Sequence, residues 1–267
     1  MAHDGEWHDC EWHDCEWHDC EGTTVRFVLA SASPARLATL EAAGIRPEVI
    51  VSGVEEHDQR DGQSVVELVT DLAEAKGRAV VTEIDDLGAD ADTVVLACDS
   101  LLEFDGQALG KPAGPDAARE RWRSMRGRTA TLHTGHAVTL LAASGSSMSA
   151  GSRTEVASTE VTFAEVTDAE IDAYVATGEP LEVAGAFTID GLGGAFVTGV
   201  HGDPHNVVGV SLPLLRRMLA ELGVQWPVLW APASRSPRPA PAAERPDAAD
   251  SDATDSHMAD SDTADPA

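Results

Sequence analysis

Val25-Arg-Phe-Val-Leu-Ala-Ser-Ala-Ser-Pro-Ala-Arg36-Leu37 decides how the rest of the chain is read. The apolar, β-forming run from Val25 to Ala30 predicts a buried strand, and an alanine- and leucine-rich helical pattern begins directly after Ser33 and Pro34. Ser33 is placed as the N-cap and Pro34 as the first helical residue. The unpaired N–H groups and the positive end of that helix then face whatever lies beyond the strand, an arrangement that suits phosphate. Arg36, one turn inside, adds a planar, permanently charged fork of donors. An ordinary capped strand-to-helix turn satisfies the same residues, so this stretch alone leaves both readings open.

At 267 residues and 43% hydrophobic, the chain can bury a full core, as one large α/β domain or two small ones. No apolar run approaches the roughly 20 residues needed to cross a bilayer, which predicts a soluble protein. The start, Met1 to Glu6, has neither a basic nor an apolar segment of a secretory signal. Three of the four cysteines fall in an N-terminal repeat and only Cys98 in the body, which is no disulfide framework and fits a reducing cytoplasm. The formal net charge of -28 argues against duplex nucleic acid or an anionic membrane as main partner.

Glu6-Trp-His-Asp-Cys10 recurs as 11–15 and 16–20. His, Asp and Cys are competent zinc ligands, yet a five-residue period keeps them on one face of neither helix nor strand. Residues 1–22 are therefore read as an expanded, disordered extension, with a metal site as the alternative. Residues 231–267 are rich in Pro, Ala, Ser and Asp with almost nothing bulky and apolar, and read as a disordered acidic tail. The folded unit is placed at 23–230.

Within it the punctuation predicts alternating elements. Pro34 to Ala43 reads as a helix stopped by Gly44, and Pro47 to Val51 as a strand. Gly53 to Gly62 is a polar loop. Ser64 and Glu67 form a capping box for a helix to about Thr82. Thr93 to Cys98 reads as a buried strand ending at Asp99, and Leu101 to Phe104 as a hairpin arm turned by Asp105-Gly106. A helix over Pro115 to Met125, two long antiparallel strands over Thr129 to Ala142 and Arg153 to Ala164, and a boxed helix from Thr167 to Thr177 follow. Gly185 to Gly202 gives short strands and tight turns, and Ser211 to Leu222 the last helix. Together these predict an α/β fold with a mixed twisted sheet and flanking helices.

Of 18 Lys+Arg only two are lysine, Lys76 and Lys111. Lysines kept where arginine is otherwise used suggest positions that want a compact, mobile ammonium. Asp99, at the end of an apolar strand, sits where open α/β sheets place ligands. Trp122 is read as core, Cys98 as a small buried filler, Asn206 as ordering the Gly202 to Gly209 turn, and His133, His136, His201 and His205 as hydrogen-bonded or solvated histidines rather than ligands.

Leu29-Ala-Ser-Ala-Ser-Pro-Ala-Arg36, Gly53-Val-Glu-Glu56, Leu72-Ala-Glu-Ala-Lys76, Ala97-Cys-Asp-Ser100, Leu109-Gly-Lys-Pro112, Thr134-Gly135, Ala184-Gly-Ala-Phe-Thr-Ile-Asp-Gly191 and Asn206-Val-Val-Gly-Val-Ser-Leu-Pro-Leu214 stand in the order found in the Maf family of nucleoside triphosphate pyrophosphatases, which the chain resembles over Val25 to Leu222. The resemblance implies a fold of two lobes around a deep nucleotide cleft, shared with inosine triphosphatase-like proteins, and a homodimer. It implies a hydrolase dependent on Mg²⁺ or Mn²⁺ that cuts nucleoside triphosphates between the α- and β-phosphates, releasing monophosphate and pyrophosphate, and that clears non-standard nucleotides. A link to septum formation is also implied, and a division regulator working by protein contacts without catalysis is the competing reading.

Residue by residue, the resemblance makes Ser31, Ser33 and Arg36 the phosphate-binding turn, Lys76 and Lys111 the two lysines of the site, and Asp99 the general base. Glu56, with Asp99, would hold the metal. Two positions depart from the pattern. Ala35 stands where many relatives have a first arginine, and Asp190 stands where many have Gln. An ionised Asp cannot donate to a base or phosphate as Gln can, so Asp190 either ligates metal or accepts from a base N–H, or is a solvated turn residue of Ile-Asp-Gly, and both readings stay open.

Overall fold

The computed structural model describes residues 25–54, 62–87, 91–144 and 146–230. The pentapeptide repeats, the acidic tail and Glu56 lie outside the described residues.

The chain builds a seven-stranded mixed sheet: β1 (Arg26–Leu29), β2 (Glu48–Val49), β3 (Thr93–Phe104), β4 (Gln107–Leu109), β5 (Thr129–Leu141), β6 (Gly151–Phe163) and β7 (Val197–His201). Its order is β2-β1-β3-β5-β6-β7, with β4 paired to the far end of β3. β1 runs parallel to β2 and β3, whereas β3, β5, β6 and β7 pair antiparallel. The two long hairpin strands pair along their length, from Thr129 with Thr162 to Leu140 with Gly151.

Helices cover both faces. They are α1 (Pro34–Ala42), α2 (Val65–Leu87), α3 (Pro115–Met125), α4 (Asp168–Ala176), α5 (Pro204–Val208) and α6 (Leu212–Glu221). Their starts are set locally: Ser33, Thr167, Asp203 and Ser211 accept from backbone N–H groups of their own first turns. Ser64 and Glu67 bond each other's backbone N–H ahead of α2.

The apolar interior has distinct parts. Phe27, Leu29, Val94, Leu96 and Leu140 pack with Leu40 of α1 and Leu215, Met218 and Leu219 of α6. Val28, Val95, Ala97 and Ala137 pack on the opposite face against Ala73, Val80 and Ile84 of α2. The third part joins Leu102, Phe104, Leu132 and Phe163 to Trp122, Met125, Ile171 and Tyr174 of α3 and α4. Trp122, fully buried, sits edge-on to Phe163, Tyr174 and Phe196, so it is a core residue.

Three expectations are corrected. β3 does not end at Asp99: it runs unbroken to Phe104, because Ser100 to Glu103 continue the ladder with β5. The strand that stops there is β1, whose last pair is Leu29 with Leu96, so Asp99 lies just past the end of its parallel neighbour. α2 continues beyond Thr82 to Leu87, since Val80 and Ile84 still face the sheet. Gly202 to Gly209 is not a plain turn: Asp203 caps the short helix α5, and Gly209, at φ 118, ends it.

A cation-lined cavity at the end of strand β1

Beyond the end of β1 lies a cavity of about 720 Å³, lined by parts of the chain that are far apart in sequence. Ser31, Ser33 and Arg36 come from the turn into α1, Lys76 from α2, Asp99 and Ser100 from β3, Lys111 from the loop after β4, and Asp190 from the glycine-rich passage. Seven of the eight residues singled out in the sequence thus share one cavity, and Glu56 lies outside the described residues.

The approach of α2 to the sheet rests on small residues. Gly77 lies over Ala97 and Ala137, and Gly135 lies under the backbone of Val69 and the methyl group of Ala73. Gly135 is also the register partner of Asp99. This close packing brings the Lys76 Nζ onto Asp99 Oδ1, both side chains being largely buried. The ammonium meets the carboxylate in a partly dry setting and fixes where it points.

Arg36 is anchored before any ligand arrives. Its Nε donates to the Gly209 carbonyl at 2.8 Å, Nη1 to Ser31 Oγ at 2.9 Å and Nη2 to Ser100 Oγ at 2.9 Å. Three of the five guanidinium donors are therefore spent within the protein. Ser31 Oγ also accepts from the Ser33 N–H at 3.2 Å. With both lone pairs engaged, the Ser31 hydroxyl is left only its hydrogen to give, which makes it a donor to an anion. Thr134 Oγ1 donates to the Asn206 carbonyl at 3.2 Å, so its 2.9 Å contact with Ser100 Oγ takes the Ser100 proton. Arg36, Ser100, Thr134 and the Asn206 carbonyl form one directed chain.

Lys111 is more exposed and stands 3.9 Å from Glu182, a loose surface pair. The loop carrying Lys111 is tied from behind: the Gly110 carbonyl accepts from Arg121 Nη1 at 2.6 Å and from the Gly185 N–H at 3.1 Å. Trp122 Nε1 donates to Ala186 O at 2.8 Å, holding Ala186 at φ 62, a left-handed conformation that is costly for alanine. Leu132, Val183, Phe187, Val207 and Val208 add apolar surface to the lining.

Cys98, beside Asp99, is buried, and burial above all pushes its thiol up to about 12, so it stays protonated and is no nucleophile. His136 is buried between the Thr134 carbonyl and the Ser211 N–H and is pushed down to about 4, chiefly by burial. It is neutral and structural. His133 bonds Ser158 and Glu103, and His205 pairs with its cap Asp203.

Among the described residues, no three His, Cys, Asp or Glu side chains group closely enough to hold a metal ion. Among the described residues the cavity's carboxylates are Asp99, Glu182 and Asp190. Mg²⁺ commonly binds through one or two carboxylates plus substrate phosphates, so this donor set fits a cation that arrives with a polyphosphate. Sequence reasoning gave no role to Ser100, Glu182 or Thr188, which also line the cavity. Ser100 directly follows Asp99 in a quoted block, but nothing local reveals that Arg36 reaches it.

A mixed α/β sheet with a capped helix start, two lysines and a buried carboxylate around one cavity defines a protein built to hold an extended anion. The chain belongs to the Maf family: the family described as Maf-like protein matches residues 26–222. Proteins named nucleoside triphosphate pyrophosphatase are similar to it. That of Salinispora tropica is 52% identical over 233 residues, covering 82% of this chain and 97% of its own. That of Streptomyces coelicolor is 54% identical, covering 78% and 96%, and that of Cutibacterium acnes is 50% identical, covering 78% and 95%. No helix among the described residues is long and apolar enough to cross a membrane.

Proposed function

We propose that the chain is a nucleoside triphosphate pyrophosphatase that hydrolyses triphosphates, modified ones included, to a monophosphate and pyrophosphate. The observation carrying this reading is the meeting of Lys76, Asp99, Ser31, Arg36 and Lys111 on one cavity that also carries apolar side chains. The names of the relatives support it.

In the proposed reaction the polyphosphate lies along the turn from Ser31 to Arg36, with the Ser31 hydroxyl and the start of α1 donating to its oxygens. Base and sugar lie against Leu132, Phe187 and Val207. Asp99 accepts the proton of a water aimed at the α-phosphorus, and its ion pair with Lys76 holds it in place for that task. The oxygen of that water bonds to phosphorus, the bond to the bridging oxygen breaks, and pyrophosphate leaves. Lys76, Lys111 and the remaining donors of Arg36 stabilise the charge moving onto it. Mg²⁺ or Mn²⁺, which Asp99 and Glu56 would hold together with phosphate oxygens, supplies Lewis acidity and neutralises phosphate charge. We place the enzyme in the cytoplasm, as a homodimer, with residues 1–22 and 231–267 as appendages to the catalytic domain.

Incubation with a panel of triphosphates and either cation, with separate detection of pyrophosphate and orthophosphate, tests the reading. Pyrophosphate release is expected, and Asp99→Asn should lower kcat by about 10²–10⁴. Orthophosphate as the first product, or near-normal turnover by Asp99→Asn, would sink it.

A further inference from the structure

The carboxylate of Glu179, just after α4, accepts four hydrogen bonds. Its Oε1 accepts from Tyr174 Oη at 2.9 Å, from Thr188 Oγ1 at 2.5 Å and from the Gly193 N–H at 3.0 Å, and its Oε2 accepts from the Leu192 N–H at 3.0 Å. Two of these partners flank Asp190 in sequence. Thr188 and Asp190 both line the cavity.

The glycines of this turn bear out how tightly it is drawn. A Cβ on Gly191 would lie 2.8 Å from both Glu179 Oε2 and Thr188 Oγ1, and one on Gly193 would strike the Tyr174 hydroxyl. Burial pushes the Glu179 carboxyl up, but the bonds from Thr188, Leu192, Gly193 and Tyr174 outweigh it and hold the group below its ordinary value. Burial likewise raises Tyr174, which remains a neutral donor. Because Thr188 gives its only hydroxyl proton to Glu179, its oxygen can only accept from any other partner.

We propose that Glu179 is a positioning residue for nucleotide selection: it fixes Thr188 as an acceptor and sets the turn that presents Asp190, and so governs which nucleoside the cavity accepts. The inference rests on the proposed reading of the cavity as a nucleoside triphosphate site. Its donors Tyr174, Thr188, Leu192 and Gly193 all lie within residues 174–193, so its loss acts first on the turn that carries Asp190. In Glu179→Gln an amide NH₂ must face one of four donors, so at least one bond is lost and the turn loosens.

The experiment measures kcat and KM for a panel of triphosphates differing in base, on the full chain, for wild type, Glu179→Gln and Tyr174→Phe. Glu179→Gln should raise KM about tenfold for the preferred triphosphate with a much smaller change in kcat, and compress the ratio of kcat/KM between best and worst bases. Tyr174→Phe, which removes one of the four donors, should move both in the same direction by less. A uniform change across all bases means a merely structural role and overturns the inference, as does an unchanged ratio. If Glu179→Gln does not fold, Tyr174→Phe decides alone, and an unaltered base ratio in that variant overturns the inference. Absence of pyrophosphate release by the wild type, by contrast, defeats the parent reading itself.

Discussion

Gly135 of β5 lies directly beneath the backbone carbonyl of Val69 in α2, with no room between them for even a methyl group. The same glycine pairs with Asp99 across the β3–β5 ladder. Helix and strand can therefore approach only because this position has no side chain, and that approach carries Lys76 to Asp99. Gly135→Ala must push α2 outward, and overpacking of this kind costs about 1–3 kcal/mol. The midpoint of urea unfolding should fall accordingly, and pyrophosphate release should fall beyond what the loss of folded protein explains, since Lys76 is drawn away. Unaltered stability would show that α2 gives way freely.

Lys76 and Asp99 should be energetically coupled. Lys76→Met leaves the buried Asp99 carboxylate without its ammonium, which costs up to about 3–5 kcal/mol when a buried pair is broken from one side. Asp99→Asn in the same background should restore part of that loss. A double-mutant cycle on unfolding free energies should give a coupling of about 0.5–3 kcal/mol. Additive effects would mean that the pair adds nothing to stability.

Arg36→Lys is not a conservative change here. An ammonium cannot reach Gly209 O, Ser31 Oγ and Ser100 Oγ together, as the guanidinium does. With one or two charged hydrogen bonds lost at about 1.5–3 kcal/mol each, the melting temperature should drop by several degrees. KM for triphosphate should also rise, because Ser31 is no longer held as a donor. Differential scanning calorimetry and steady-state kinetics read the two effects separately.

His136 predicts an acid-labile component of stability. Its neutral ring accepts from the Ser211 N–H at 2.8 Å and donates to the Thr134 carbonyl at 3.0 Å, joining β5 to the start of α6. Burial above all, helped by Arg36 and opposed by the Thr134 bond, Asp203 and Glu155, lowers it from 6.5 to about 4. A depressed value means that the unfolded chain takes up the proton first. The stability is fully present above pH 6.5 and is lost progressively as pH falls toward about 4, at about 1.4 kcal/mol per unit. Urea midpoints measured across that range should fall steeply for wild type and less steeply for His136→Gln.

The local punctuation of the chain is legible in its residues alone. Ser33 and Pro34 start α1, Ser64 and Glu67 start α2, and Thr167 and Glu170 start α4, because a cap is a bond between residues three apart. A Gly/Ser-rich turn between two long β-forming runs likewise disclosed β5 and β6, and composition singled out Lys76 and Lys111. Only the tertiary structure decided where β3 ends, since the ladder past Asp99 depends on β5, some thirty residues further along. It alone decided what Arg36 touches, with acceptors 5, 64 and 173 residues away. The role inferred for Glu179 is legible nowhere in sequence, because its donors come from α4, a 3₁₀ turn and a threonine brought together only by folding. Hydrogen bonds within one turn are written in the spacing of residues. Those between distant segments exist only after burial of Leu29, Leu96, Val138 and their neighbours has brought the backbone together.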